Sequence, residues 1–399
     1  MVEAVTEKAW LSIIGIGEDR AEALPPASRL ALAEATHIFG APRHLALAGL
    51  EGDPRAHIWP VPFSVDPVLA LKGRHVAMLV SGDPFWFGGG ASITRHLPTA
   101  EWRAFPAPST FGWAAARLGW SLEDTACLGL HAAPFERLVP VMSHGARAIC
   151  LLRDGASVGS LAAWLSERGF GASLCHILEA LGGERERIRS APARDIAFDD
   201  VEAPVAIAIA FNGPAGLPRA SGLADDLFAH DGQISKRPMR ALALSALAPR
   251  AGEMLWDLGA GSGSISVEWC LAGGRAVAVE RKPDRAANIR QNGQSFGLGH
   301  RLTVIEHDHA DLPDLPMPAA VFVGGGADEG LLTRLWAMLA PGVRLVMHGV
   351  TLETEALLLH AHARHGGDLL RIELAQAAPL GSMRGWQPAR PVVQWSVVR

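Results

Sequence analysis

The sequence predicts an α/β protein of two unlike domains, each opening on a strand that ends in a glycine turn. Three observations predict it. Short apolar runs stop at Gly15-Ile16-Gly17 and again at Gly259-Ala260-Gly261-Ser262-Gly263. Helical stretches alternate with such runs along both halves, the grammar of a sheet covered by helices. The length, 399 residues, favours two domains at ~100–200 residues each.

In the first half, residues 10–14 form the opening strand, and Gly15-Ile16-Gly17 is its tight turn. Residues 75–80 repeat the pattern, stopped by Ser81-Gly82-Asp83-Pro84, and residues 148–152 repeat it again before Arg153-Asp154-Gly155. Further strands are expected at 173–178 and 205–211, with helices at 26–35, 113–118 and 157–168. This alternation predicts a mainly parallel sheet. Asn212-Gly213-Pro214-Ala215-Gly216-Leu217-Pro218 holds four Gly or Pro in seven residues, so the boundary falls there. The expected division is 1–214, a linker 215–224, and 225–399.

The second half predicts a helix at 239–247, a strand at 254–258, the glycine loop, and a helix at 264–270. Strands follow at 275–279, 302–305, 320–323 and 344–347, and residues 392–398 alternate as a closing antiparallel strand.

Composition narrows the function classes. Charged residues are 19%, against roughly a quarter in typical domains, and 36 basic against 41 acidic side chains give a net charge of −5. No basic excess exists to neutralise a long phosphate backbone, so no nucleic-acid partner is expected. Cys127, Cys150, Cys175 and Cys270 lie far apart with no C-x-x-C pair, which suits reduced, buried thiols and neither a disulfide frame nor a zinc site. Glu3 and Glu7 precede any apolar run, unlike a secretory leader, and no apolar stretch approaches the ~20 residues of a membrane span. The expectation is a soluble, cytoplasmic protein.

Strand, G-x-G-x-G, helix, second strand and acid form a nucleotide-binding pattern. The glycines let backbone approach a ligand, and the helix start offers free amides. Asp257 ends the first strand, and Glu280 lies 21 residues beyond Gly259, where its carboxylate can take both hydroxyls of a ribose. The missing third glycine at dinucleotide spacing favours S-adenosylmethionine over a nicotinamide cofactor, since a sulfonium ligand has no pyrophosphate to cradle. Gly259, Ala260, Gly261 and Gly263 are therefore expected at the cofactor, with Asp257 and Glu280.

Around this loop the residues become recognisable. Gln233-Ile234-Ser235-Lys236-Arg237-Pro238-Met239-Arg240 precedes Trp256-Asp257-Leu258-Gly259-Ala260-Gly261-Ser262-Gly263-Ser264-Ile265-Ser266-Val267-Glu268. Later come Val279-Glu280-Arg281, Asn288-Ile289, Phe296-Gly297, Phe322-Val323-Gly324-Gly325-Gly326 and Val350-Thr351-Leu352-Glu353. From about residue 226 to the end, the chain resembles the C-terminal, decarboxylating domain of the precorrin-6Y methyltransferase family, a Rossmann-like class I methyltransferase. The resemblance adds Asp308, Gly324 and Gly325 to the cofactor contacts. Three positions depart from the family pattern: His307-Asp308-His309-Ala310 stands for Gly-Asp-Ala-Pro, Ala319 replaces an acid, and His348 stands where Asn is frequent.

The first half carries its own signature. Ser81-Gly82-Asp83-Pro84-Phe85-Trp86-Phe87-Gly88 resembles the S-G-D-P loop of tetrapyrrole methylases, the class III methyltransferase fold. Gly15-Ile16-Gly17, Ser109-Thr110, Leu130-His131, Asp154-Gly155 and Glu179-Ala180-Leu181-Gly182 extend the match to about residue 212. It implies Ser81, Gly82, Asp83, Phe87, Ser109 and Thr110 at a second cofactor cleft. Asp-Pro sequences also favour plain turns, and Asp83 is expected to orient its loop through hydrogen bonds.

Together the resemblances imply a bifunctional enzyme of cobalamin biosynthesis. It methylates carbons 5 (first domain) and 15 (second domain) of reduced precorrin-6, precorrin-6B, and removes the carboxyl of the carbon 12 acetate, giving precorrin-8X. They imply one S-adenosylmethionine per domain, no metal, and a homo-oligomer. Lys236 and Arg240 suit the substrate's carboxylates, Arg through bidentate contacts, with Arg237 and Arg384 as weaker choices. His309 and His348, at predicted strand ends, suit the proton that replaces the lost carboxyl. Two His and an Asp in consecutive positions rarely converge on one metal ion. The alternative is a tRNA or protein methyltransferase with an N-terminal recognition domain; the acidic charge and the first half's own loop stand against it.

Overall fold

The computed structural model describes residues 9–308 and 314–399. The chain forms two compact units: residues 1–133 with Val141–Ala215, and Gly216–Arg399 with Pro134–Pro140. The short segment Pro134–Pro140, between two strands of the first half, thus packs as part of the second unit. There the Glu136 carbonyl lies so close to Gly297 that an added Cβ would sit 2.0 Å from it.

The first unit holds two sheets. β1 (Leu11–Ile16), β2 (His37–Gly40), β3 (Ala56–Ile58), β4 (Val76–Ser81) and β5 (Trp102–Phe105) form an all-parallel sheet in the order β3-β2-β4-β1-β5. Its side chains alternate as a buried strand requires: Leu11, Ile13, Met78 and Val80 fill one face, and Ile14, Ile16, Ala77 and Leu79 the other. Helices α1 (Pro26–Glu34), α2 (Pro42–Leu47), α3 (Asp66–Leu69) and α4 (Gly90–Thr94) connect these strands. β1 and β4 are neighbours in register, Ile16 opposite Ser81, so the turn at Gly17 and the loop at Gly82 emerge side by side.

α5 (Thr110–Leu118) leads to the second sheet and packs Phe111 and Ala114 on it. That sheet orders β6 (Ala126–Gly129), β7 (Arg147–Leu151), β8 (Leu174–Glu179), β9 (Arg187–Pro192) and β10 (Val205–Ala210) as β6-β7-β10-β8-β9, with α6 (Ala156–Glu167) between β7 and β8. Only β6 and β7 run parallel; the other three pairings are antiparallel. This corrects the expectation of a mainly parallel sheet for this part. β10 is buried along nearly its whole length, and a strand covered on both faces reads as a continuous apolar run whichever way its neighbours point.

The second unit is doubly wound. β11 (Met254–Leu258), β12 (Arg275–Val279), β13 (Leu302–Ile305), β14 (Ala320–Val323), β15 (Arg344–Gly349), β16 (Asp368–Ile372) and β19 (Val392–Val398) form one sheet in the order β13-β12-β11-β14-β15-β19-β16. The first five run parallel, and β19 is antiparallel to both neighbours. α7 (Arg237–Leu247), α8 (Ser264–Leu271) and α9 (Pro283–Ser295) cover one face, and α10 (Glu329–Met338) and α11 (Leu352–His365) the other. β17 (Ala375–Leu380) and β18 (Met383–Pro388) form a separate hairpin between β16 and β19. The chain order reverses between β11 and β14, so the loops after these strands flank the crevice where open α/β sheets bind ligands. Among the described residues no helix is long and apolar enough to cross a membrane.

Candidate functional site

In the second unit, β11 ends at Leu258 and the chain turns through three glycines with positive φ: Gly259 (+67°), Gly261 (+60°) and Gly263 (+70°). A Cβ on Gly259 would lie 2.8 Å from the Gly325 carbonyl of the β14 loop, so this close approach excludes any side chain. Glu280, buried at the end of β12, fixes the turn: its carboxylate accepts from Gly261 N at 2.9 Å and from Lys282 N at 3.0 Å.

Asp257, also buried, accepts from Ser266 through Oδ2, at 2.6 Å from Oγ and 3.3 Å from N. Its Oδ1 and the nearby Ser262 Oγ are buried without a partner among the described residues. Burial pushes the Asp257 carboxyl up to about 6 against the pull of its Ser266 bonds, with the charge of Glu280 adding to the rise. An unpartnered buried acceptor is costly, and one beside glycines that admit no Cβ fits a ligand with donor groups.

A cavity of about 650 Å³ opens over this turn, lined by Gly259, Ala260, Gly261, Gly324, Gly325 and His348 among others. His348 stands at the end of β15, buried, its ring edge-on to Phe322 with centroids 5.0 Å apart. Its Nε2 donates to Gln394 Oε1 at 2.9 Å. Burial holds its pKa below the ordinary histidine value despite that bond, so the ring is neutral near pH 7 and presents a polar contact, not a cation, to the cavity.

The two expected carboxylate anchors part company. Lys236 is exposed on the cavity wall, 3.9 Å from Asp225. Arg240 points inward and is fully buried. Its guanidinium donates to Glu268 at 2.5 Å, to Asp225 at 3.1 Å, to the Ser235 carbonyl at 2.6 Å and to the Leu223 carbonyl, with Phe228 beneath it at 4.8 Å. It is not placed to meet a substrate, because helix α7 turns its apolar face, and Arg240 with it, toward α8. Arg237 and Arg384 are exposed. Asp308 is exposed 3.9 Å from Arg281, and His309 lies outside the described residues. Among the described residues no group of three His, Cys, Asp or Glu is arranged to hold a metal ion.

The first unit has its own cleft, of about 250 Å³. Gly82, at φ +54°, donates to the Ile16 carbonyl at 3.0 Å and accepts from Ala107 N at 3.3 Å. Gly15 meets it backbone to backbone, for a Cβ there would sit 1.9 Å from the Gly82 carbonyl. Asp83 Oδ1 accepts from Phe85 N at 2.8 Å and so bends the loop. Ser109 caps α5 by accepting from Gly112 N at 3.1 Å, which leaves Thr110 on the cleft wall. Phe87, half-exposed at φ +57°, lines the same cleft and packs 5.7 Å from Phe111. A non-glycine residue in that region is strained.

Sequence reasoning missed His44. Its Nε2 lies 2.8 Å from Ser81 Oγ, and its Nδ1 is buried with no partner among the described residues. Burial, helped by the Arg43 charge, lowers its pKa to about 4. Nothing local in Arg43-His44-Leu45 signals a contact with a loop 37 residues away. The base of the β17–β18 hairpin, also on the larger cavity's wall, was missed as well.

Comparison with known proteins places these clefts in context. Residues 226–399 match the family described as precorrin methyltransferase domain, and residues 11–197 match the tetrapyrrole (corrin/porphyrin) methylases. A precorrin-6Y C(5,15)-methyltransferase (decarboxylating) from Sinorhizobium sp is 46% identical over 396 residues, 97% of this chain and 96% of that protein. A protein of the same name from Mycobacterium tuberculosis (strain CDC 1551 / Oshkosh) is 40% identical over 398 residues, 97% and 99% of the two chains. The crystal structure of the C-terminal domain of precorrin-6Y C5,15-methyltransferase from Rhodobacter capsulatus is 56% identical, covering 46% of this chain and 100% of that one, with a TM-score of 0.45.

Proposed function

The chain belongs to the precorrin-6Y C(5,15)-methyltransferase (decarboxylating) family, and from that premise we propose that its two units divide the work on one tetrapyrrole. The first methylates carbon 5 of reduced precorrin-6; the second methylates carbon 15 and removes the carboxyl of the carbon 12 acetate, giving precorrin-8X. The observation that carries a two-site reading is the pair of glycine-built clefts, one at Gly15 and Gly82 and one at Gly259 and Gly325.

S-adenosylmethionine, one molecule per unit in this reading, supplies an electrophilic methyl group when bound. In the second unit Gly259, Gly261, Gly324 and Gly325 leave room for it, Glu280 keeps the turn in shape, and Asp257 Oδ1 offers a buried acceptor. In the first unit Ser81, Gly82, Asp83, Phe87, Ser109 and Thr110 frame the corresponding space. The acceptor is an electron-rich ring carbon, so the protein's task is to hold donor and acceptor carbons in line, which is worth many powers of ten without a strong base.

Decarboxylation uses the conjugated ring as its electron sink. The protein must hold the ring's other carboxylates with cations such as Lys236 while leaving the departing one poorly neutralised. The neutral ring of His348 serves that second need, since it brings no positive charge to the cavity. The reading includes a cytoplasmic homo-oligomer; the four free cysteines support a reducing compartment.

The test is product mass after incubating the full chain with S-adenosylmethionine and reduced precorrin-6. Two methylenes gained and one carbon dioxide lost is the expected result, with two cofactor molecules bound per chain by calorimetry. Cofactor binding with no change in the tetrapyrrole would overturn the substrate assignment.

A further inference from the structure

The larger cavity spans the carboxyl edge of the sheet. The glycine turns follow β11 and β14, while the hairpin β17–β18 springs from β16 and β19, beyond β15 in the sheet order. His348, at the end of β15, lies between. The cavity therefore has a glycine side and a hairpin side.

The cations on its wall differ in what they already hold. Arg285 donates to Asp231 at 2.8 Å, and Lys236 stands 3.9 Å from Asp225. Arg390, in the segment joining the hairpin to β19, lines the cavity, is exposed, and has no ion pair or hydrogen bond among the described residues. Beside it, Gln376 and Gln387 face each other across the hairpin in register, and both line the cavity. Opposed residues of an antiparallel pair share one face, so the two amides present adjacent donors. Outward on that face come the small pair Ala378 and Gly385, then Leu380 and Met383 at the tip, 69% and 76% exposed.

This is a graded surface: three donor groups at the base, a small pair against which Leu380 folds back, and an apolar rim. The base is held firmly, because Ile372 and Val392 at the hairpin's root pack on Met239 of α7.

We propose that the hairpin base is the acceptor subsite of the second unit, where Arg390 binds a carboxylate on the rim of a flat polycarboxylate macrocycle. The guanidinium fork matches a carboxylate bidentately. Gln376 and Gln387 donate to the same or an adjacent carboxylate, and the ring lies over the small Ala378 and Gly385 with its edge against Leu380, whose side chain reaches back toward Gly385. Held at that rim, the ring's reacting carbon faces the glycine side. The inference rests on the proposed function of the second unit and adds the residues that set its acceptor.

The test uses the full chain and its Arg390→Ala, Arg390→Lys and Gln387→Leu variants. Three quantities are measured: the affinity for S-adenosylmethionine, the KM for reduced precorrin-6 in carbon dioxide release, and methylation at carbon 5 in the same tube. In Arg390→Ala the KM for the tetrapyrrole is expected to rise about tenfold or more, with kcat changed less. Arg390→Lys falls between, because a point charge loses the fork. Gln387→Leu shifts the KM in the same direction by a smaller factor. Cofactor affinity and carbon 5 methylation stay unchanged in all three. A KM within about twofold of the parent in Arg390→Ala, while the parent completes every conversion, would overturn the subsite and leave the proposed function standing. So would a loss of cofactor affinity that matches the rise in KM. A parent chain that releases no carbon dioxide would overturn the function itself and the subsite with it.

Discussion

At Asp257, the stability of the folded chain and the proposed ligand make different demands on one carboxyl group. Ionised Asp257 is buried with one oxygen unpartnered, and its pKa is raised from 3.8 to about 6. A raised folded-state value means its contribution to stability is present below pH 3.8 and lost as pH rises through about 6. Asp257→Asn keeps an acceptor for Ser266 Oγ and removes the buried charge. The ligand-free variant should therefore melt several degrees above the parent at about pH 8, and the gap should close near pH 4. The same change should weaken S-adenosylmethionine binding by about tenfold or more. Paired melting curves and calorimetry check both halves; an unstable variant would remove the argument. His44 works in the opposite sense. Its pKa is lowered from 6.5 to about 4 by burial and Arg43, with the nearby Leu79 backbone and the Glu18 charge opposing. Its neutral form therefore contributes stability above pH 6.5 that is lost as pH falls toward 4. By about pH 5 the loss is about 2 kcal/mol. His44→Gln, which still reaches Ser81, should flatten the first unit's urea midpoint between about pH 7 and pH 5 relative to the parent. An equal slope in parent and variant would refute it.

Helices α7 and α8 are joined through one buried ion pair, and the linker is drawn into it. Glu268 accepts from Arg240 and also from Gly222 N at 2.6 Å and Leu223 N at 2.9 Å. Removing one partner strands the other charge, so Arg240→Ala should cost about 3–5 kcal/mol. Adding Glu268→Gln to Arg240→Met, which removes the stranded charge and keeps an acceptor for one of the two amides, should recover part of it. Hydrogen exchange across α7 and α8 reads the stability, and carbon dioxide release reads the function. Activity restored in the double variant marks Arg240 as a scaffold residue; activity still absent would mean it meets substrate after all. The sequence could not show this, because Arg240 and Glu268 are 28 residues apart and a helix basic residue looks the same whichever way it faces. What it did show were elements whose own pattern suffices. β11, β12, β13 and β14 begin and end where their apolar runs do, and β19 where its alternating run does, since a strand in a sheet carries the pattern of the faces it buries. The hairpin β17–β18 has no such pattern. It is mostly exposed, carries Pro379, Pro388, Gly381 and Gly385, and is fixed by its root in the larger sheet. Likewise the Gly259 turn, Asp257 and Glu280 were legible from spacing, whereas Gln376, Gln387 and Arg390 reach the cavity only through tertiary folding.

Each unit has its own core and its own cleft, so damage to one cleft should leave the other's chemistry intact. The sequence division at residues 215–224 does not isolate the second unit completely, because Pro134–Pro140 belongs to it and packs at Gly297. The separation is therefore better tested in the full chain than by cutting it. Two glycines serve. Gly82→Ala puts a Cβ 3.0 Å from the Ser109 backbone at φ +54°, and Gly259→Ala puts one 2.8 Å from the Gly325 carbonyl at φ +67°. Both strain the turn at the floor of a proposed cofactor cleft and lie outside the strands' paired registers. Gly82→Ala should give a tetrapyrrole with one added methylene and one carbon dioxide lost. Gly259→Ala should give one added methylene with every carboxyl retained. Mixing the two variants asks whether the intermediate must stay on one chain. Because each variant keeps one whole cleft, the mixture should complete both methylations and the decarboxylation, at a rate that rises with protein concentration. A mixture that accumulates only the two partial products would show that a released partial product is not taken up by the intact cleft of another chain.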